Sequence, residues 1–218
     1  MEISEGHDLI SNPFCTRFVR PGAIPYRFDE AELPGTHGAD SALDRMTTRV
    51  VQVRFSVIVG PHGSGKSTLL QTLLPNLQTA FCDFAKVHLI ASQPCQRPIM
   101  EASNGLVSGG LLVVDGMEQL ATWQRKFLLW RSKRRNHSIL ATAHRPLRGF
   151  EILQTTALSA QKIRELTKQR IASMSENTQQ MILNELSNRP LGPETNLREL
   201  WFDLYDIAER MIALERRG

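Results

Sequence analysis

The chain has 218 residues, 41% of them hydrophobic and 22% charged, and a formal net charge of +4, enough for one medium domain with a proper core and a small appendage. No apolar run approaches a bilayer span and no basic-then-apolar leader opens the chain, so the expectation is a cytoplasmic protein with no membrane partner. Cys15, Cys82 and Cys95 are odd in number and form no C-x-x-C pair, which argues against a disulfide framework or a zinc site.

In chain order, residues 1–45 read as an arm, because Pro13, Pro21, Gly22, Pro25, Pro34, Gly35 and Gly38 leave no room for long regular elements. Phe14, Phe18, Tyr26 and Phe28 within it predict a segment ordered against the core, and Asp29 to Asp44 a looser connection. Val50–Val59, rich in Val, Ile and Phe, predicts a buried strand running into Gly60. Ser67 to Leu74 predicts a helix that Pro75 stops. Lys86–Ala91 predicts a second strand and Leu111–Asp115 a third, the latter apolar enough to be covered on both faces. A helix over Met117 to Arg134, a strand over Ser138–Ala143 and a weaker strand over Ile152–Leu158 follow. Strands alternating with helices predict an α/β fold around a mostly parallel sheet. The tail reads as helical. Ser173 with Glu176 makes a capping box, and Asn196 opens a helix with Leu197, Leu200, Trp201, Leu204, Ala208 and Met211 on one face. The expected layout is an arm at 1–45, a core at 46–160 and a helical region at 161–218.

The chemistry is concentrated in Gly60-Pro61-His62-Gly63-Ser64-Gly65-Lys66-Ser67, which matches G-x-x-x-x-G-K-[ST] between a predicted strand and a predicted helix. The glycines let successive N–H groups point at phosphate oxygens, Lys66 supplies a point charge, the Ser67 hydroxyl meets Mg²⁺, and the helix N-terminus carrying Ser67 and Thr68 faces the same anion. The residues from Gly60 to Thr68 are therefore the expected nucleotide-binding set, with ATP and Mg²⁺ as cofactors. The absence of an N-K-x-D motif favours ATP over GTP.

Asp115, closing an apolar strand, is the second expected metal group beside Ser67. Gly116 takes the next place, so Glu118 is the nearest carboxylate able to activate water, with Gln119 as an alternative. His144, just past the fourth strand, is expected to sense the terminal phosphate. Thr142 points to the same side by period two, and at most one of the two is expected to reach the site. Arg145 reads as a surface residue. Arg125, Lys126, Arg131, Lys133, Arg134 and Arg135 form a basic stretch that reads first as a solvated helix face and second as a nucleic-acid contact.

The GPHGSGKSTLL and ATAH runs resemble ATP-binding cassette proteins, but the chain has no LSGGQ-type signature helix, and a transporter cassette is rejected. The LLVVDGMEQL run resembles the hhhhDG-x-D/E block of NACHT and related STAND switches. The NPF arm before the P-loop and the late NLREL helix are similar to AAA+-like ATPases. That resemblance implies an additional-strand P-loop NTPase, aromatic residues of the arm beside the adenine, and Arg198 near the γ-phosphate, while by itself Arg198 reads first as an exposed helix residue. The expected activity is a Mg-dependent ATPase with a protein partner or self-association. The alternatives are a nucleotide switch with little turnover and a small-molecule phosphotransferase with Lys133–Arg135 as a lid.

Overall fold

Parallel strands β1 (Phe55–Val59), β2 (Phe84–His88), β3 (Leu111–Asp115), β4 (Ser138–Ala143) and β5 (Glu151–Thr155) form one sheet in the order β2-β3-β4-β1-β5. The computed structural model describes residues 12–19, 25–28, 39–91 and 96–215. The sheet period decides the layers. Val57, Val59, Leu112, Val114, Ile139 and Ala141 face a core shared with Ile99 of α4 (Gln96–Gly105) and Leu128 of α5 (Thr122–Arg135). Ile58, Leu111, Val113 and Leu140 face the other way. They meet Met46 and Val50 of α2 (Ala39–Gln52) and Leu69, Leu70, Leu73 and Leu77 of α3 (Lys66–Ala80). Helices on both faces are what a buried parallel sheet requires.

Several elements depart from the sequence expectation. Val50 closes α2 rather than opening β1, because the helix still binds Val53 N–H to Arg49 O at 2.8 Å and the strand starts only at Phe55. β2 lies earlier than expected, since its pairing with β3 sets Phe84 opposite Leu111 and His88 opposite Asp115. β2 follows the P-loop in the chain but sits at the sheet edge. The strand inserted between β1 and β3 in space is β4.

Pro75 does not stop α3, which continues to Ala80. A mid-helix proline costs about 3 kcal/mol, and burial of Leu77 beyond it, with Leu69, Leu70 and Leu73 before it, holds the helix against the core. The helix expected over Met117 to Arg134 is a 3₁₀ turn, Met117–Gln119, followed by α5. Leu120 is extended between them, and the Gln124 side chain accepts from Ala121 N–H at 2.8 Å at the start of α5. β5 covers Glu151–Thr155 rather than Ile152–Leu158. Helix α4 has no counterpart in the sequence expectation.

The phosphotransferase-lid placement of Lys133–Arg135 fails on topology. These residues close α5 just before Ser138, which pairs with Leu111 at the N-terminal end of β3. Asp115 is at the other end of that strand, about 13 Å away at strand rise. Of the arm, residues 1–11, 20–24 and 29–38 lie outside the described residues, as does Cys95. Cys15 and Cys82 are free. A short helix α1 (Thr16–Val19) follows Phe14.

The tail forms α6 (Ala160–Ile171), α7 (Glu176–Ser187) and α8 (Leu197–Glu215), of which α6 is not expected from the sequence. Ser159 caps α6 by accepting from Lys162 N–H at 3.1 Å. Ser175, not Ser173, caps α7, accepting from Thr178 N–H at 3.2 Å. Asn196 Oδ1 accepts from Arg198 N–H at 3.2 Å at the start of α8. Leu197, Leu200, Trp201, Leu204 and Ala208 are buried together with Ile163 of α6, Ile182 of α7 and Phe14 of the arm. The amphipathic face of α8 is thus covered by its neighbours. The buried Trp201 Nε1–H donates to Thr167 Oγ1 at 3.0 Å, whose hydroxyl donates to Ile163 O at 2.8 Å. Among the described residues no helix is long and apolar enough to cross a membrane.

Thr167→Val removes the acceptor of a buried indole and should cost about 1–3 kcal/mol. Thr167→Ser keeps that acceptor and should cost less. Urea unfolding of both variants measures the difference, and equal losses would contradict the role given to this bond.

Candidate nucleotide site

The strands end together, which is what assembles the site. Gly60 N–H donates to Ala143 O at 3.2 Å, Leu89 N–H to Asp115 O at 2.8 Å and Thr156 N–H to Val59 O at 2.7 Å. The loop after β1, the turn after β3 and the ends of β2 and β4 therefore open on one cleft of 310 Å³. His62, Gly63, Ser64, Gly65, Lys66, Ser67 and Thr68 line it, together with Asp115, Glu118, Thr142 and His144. Gly60 and Pro61 stand behind, and their carbonyls each accept from Lys66 Nζ at 2.7 Å.

Gly63 and Gly65 adopt left-handed φ of 71° and 95°, which folds the loop back over the start of α3. Gly60 is required by proximity: a Cβ there would meet Thr156 Oγ1 at 2.3 Å and Ser64 Oγ at 2.6 Å. Those two hydroxyls bond each other at 2.7 Å and anchor the loop to the segment after β5. Burial pushes the Lys66 ammonium below its ordinary value, while Glu118 and Asp115 oppose that shift. Both carboxylates thus act on the same cation.

Asp115 is buried, and its Oδ1 accepts from Ser67 Oγ at 3.0 Å and from Thr142 Oγ1 at 2.6 Å. Its Oδ2 stands 3.2 Å from His88 Nδ1 on β2. Gly116 N–H donates to Thr142 Oγ1 at 2.9 Å, which locks the turn after β3 to β4. Gly116 has φ of 91°, and a Cβ there would meet Leu89 O at 3.0 Å. A glutamate directly after Asp115 would be strained, and the nearest carboxylate falls on Glu118 in the following 3₁₀ turn.

Glu118 Oε1 is 3.2 Å from His144 Nε2, and the His144 ring lies 3.7 Å from that of His62, centroid to centroid. Glu118 Oε2 is buried with no hydrogen-bond partner among the described residues. Burial lowers the affinity of His144 for its second proton, Glu118 opposes this, and Lys66 and His62 add to it.

The expectation that at most one of Thr142 and His144 reaches the site is corrected: both line the cleft. Thr142 is the penultimate strand residue, whereas His144 lies past the end of β4, where the pleat no longer dictates direction. Arg145 is exposed and outside the cleft lining. Arg198, on the first turn of α8, is exposed and lines the cleft.

The far side of the cleft comes from the arm, α6 and the start of α8. Tyr26 of the arm lies against Gly65, with a would-be Cβ 3.1 Å from its Cε2, and its N–H donates to Thr72 Oγ1 at 2.9 Å. The buried Lys162 places its Nζ 4.9 Å from the Tyr26 ring centroid. Leu158, Leu166, Leu197 and Trp201 supply apolar wall, and the Arg170 guanidinium lies 4.7 Å from the centre of the Trp201 ring. Gly63 touches the start of α8, where a Cβ would meet Asn196 Oδ1 at 2.2 Å.

Gly60→Ala should destabilise the protein by about 1–3 kcal/mol through overpacking against Thr156 and Ser64. Adding Thr156→Gly should recover part of the loss. Thermal unfolding of the single and double variants checks this, and an unchanged single variant would contradict the close approach.

No protein-family model and no curated protein sequence matches the chain. Solved structures do. The RuvB Holliday junction branch migration motor of Thermotoga maritima superposes with a TM-score of 0.55 at 17% identity, covering 91% of this chain and 68% of that one. A point variant of the same protein gives 0.53 at 17%, covering 80% of this chain, which here spans only 60% of its length. A DNA replication initiation factor gives 0.53 at 14%, covering 86% and 67%. With the strand order and the loop after β1, these likenesses establish the fold: the chain has the additional-strand P-loop fold shared with these structures.

Proposed function

We propose that this protein is a Mg-dependent ATPase in which Glu118 activates water. The observation that carries the reading is the bond between Ser67 Oγ and Asp115 Oδ1, which puts two hard oxygen ligands 3.0 Å apart at the N-terminus of α3. Ser67 and Asp115 would hold the cation. Among the described residues no group of three or more His, Cys, Asp or Glu could hold a metal alone, which suits an ion completed by phosphate and water oxygens. When bound, Mg²⁺ supplies charge neutralisation between the outer phosphates.

The chain's own residues do the rest. Backbone N–H groups of the loop from Gly63 to Ser67 donate to phosphate oxygens, and Lys66 exchanges its two carbonyl partners for them. Glu118, held toward the cleft by His144, takes the proton of the attacking water on Oε1 or Oε2. Thr142 keeps Asp115 and the Gly116 turn in register, so that Glu118 stays aimed. The wall of Leu158, Leu166 and Leu197 beside Tyr26 receives the adenine, and Arg198 reaches the outermost phosphate from α8. His144 then reports phosphate occupancy through its contacts with Glu118 and His62 rather than by touching phosphate alone.

A second reading, a switch that binds ATP and turns it over only with a partner, is favoured by one observation: His144 already occupies Glu118 Oε1.

Lys66→Ala should abolish ATP binding and turnover together. Glu118→Gln should lower turnover at least about 100-fold with ATP affinity retained, and His144→Ala should lower turnover while leaving binding intact. Steady-state phosphate release and calorimetric ATP binding on the same preparations measure both quantities. Tight binding without turnover in the parent would reject the hydrolase and leave the switch. Turnover unchanged by Glu118→Gln would reject Glu118 as the base.

A further inference from the structure

Helix α5 carries Arg125, Lys126, Arg131, Lys133, Arg134 and Arg135 and no carboxylate. It buries only Leu128 and Ser132. On its outer side Trp123, Phe127 and Trp130 are 60%, 40% and 50% exposed, three of the four large aromatic side chains exposed among the described residues. These positions share one helical face with Lys126, Lys133 and Arg134, because their spacings are three, four and seven residues. Phe127 and Trp130 stack with centroids 5.7 Å apart, and the Arg134 guanidinium lies 4.6 Å from the Trp130 ring centre. None of the α5 cations has a carboxylate partner among the described residues. Arg131 bonds the Asn104 side chain, Arg135 bonds the Ser103 and Asn104 carbonyls, and Arg125 bonds Thr122.

Contacts within the chain account for part of this, including Lys133 Nζ at 6.0 Å from the Phe55 ring centre, but leave the three rings exposed and the cations without carboxylates among the described residues. Exposed aromatic rings cost hydration free energy, and uncompensated cations repel one another along the helix. Both terms are offset by a ligand that brings flat apolar faces and regularly spaced negative charge together. Helix rise separates Trp123 from Phe127 by about 6 Å and Phe127 from Trp130 by about 4.5 Å. Successive bases of a single strand can stack on such a row while Lys and Arg between the rings meet phosphates. A rigid duplex would offer phosphates but no free base faces.

A second copy of the chain suits the face less well. Three of the five acidic residues of α8 are committed internally: Asp203 pairs with Arg189 at 2.6 Å, Glu209 accepts from Asn12 at 3.3 Å and Glu215 from Thr178 at 2.6 Å. The face is also separate from the nucleotide cleft, since none of Trp123, Phe127, Trp130, Lys126, Lys133 and Arg134 lines it.

We propose that the outer face of α5 binds single-stranded nucleic acid, with Trp123, Phe127 and Trp130 as base platforms and Lys126, Lys133 and Arg134 on the phosphates. The test is fluorescence anisotropy of the full chain with a labelled oligothymidylate of about 20 nucleotides. Salt is titrated from about 50 to 200 mM. The same titration is run with a duplex, with phosphatidylserine vesicles and with polyglutamate. Binding should favour the single strand. Trp123→Ala with Trp130→Ala should weaken it at least about tenfold with little change in salt slope. Lys126→Gln with Lys133→Gln should reduce that slope by about 1.4. Lys66→Ala should bind as the parent does, and thermal unfolding should show every variant folded. The proposal is overturned by no binding at the lowest salt, by binding indifferent to the tryptophans, by loss of binding in Lys66→Ala, or by equal or tighter binding to duplex, vesicles or polyglutamate.

Discussion

Asp115 stands where the first turn of α3, the end of β3 and the end of β4 meet, and its carboxylate is what ties them. One oxygen accepts from Ser67 at 3.0 Å and from Thr142 at 2.6 Å, and the other lies 3.2 Å from His88. A carboxylate this deeply buried is tolerated only when its lone pairs are used. The parallel register makes that possible, since β2, β3, β4 and β1 all end at the same level. The loop after β1 is then bound to the opposite side through Ser64 and Thr156, so hydroxyl contacts hold it on both flanks. Gly116 N–H closes the arrangement on Thr142 and turns the chain so that Glu118 enters the same cleft.

The helical tail is part of this site as well as an appendage to it. Leu197, Arg198 and Asn196 lie at the start of α8 against Gly63 of the phosphate loop, while the rest of α8 is held by α6, α7 and Phe14. The arm joins the two regions physically: Phe14 is buried with Trp201, and Tyr26 is buried against α3 and Gly65. A nucleotide in the cleft would touch the core, the arm and the tail together. Binding free energy could then be divided among them, the physical requirement for a ligand to bias their arrangement.

What is legible in the sequence is contiguous. The loop from Gly60 to Ser67 and the strand ending in Asp115 announce themselves because backbone conformation and chemistry reside in one short run. Thr142 is visible but ranks below His144, since the pleat predicts a side and not which hydroxyl a distant carboxylate will claim. Tyr26 is foreshadowed only as one of several arm aromatics, and Lys162 and Arg170 give no signal because α6, which carries both, meets the cleft only through folding. Val50 reads as strand because β-branched residues are ambiguous over short runs, and burial on α2 decides otherwise. Pro75 misleads for a related reason: local propensity favours a stop, and the leucine face of α3 outweighs it.

The central claim is that Ser67 and Asp115 form a metal-dependent nucleotide site, and calorimetric ATP binding with and without Mg²⁺ tests it most directly, in the parent and in Asp115→Asn. The account predicts that Mg²⁺ tightens ATP binding in the parent and that the variant loses this enhancement while remaining folded. Equal affinities with and without Mg²⁺ in the parent, or an enhancement that survives Asp115→Asn, would contradict it.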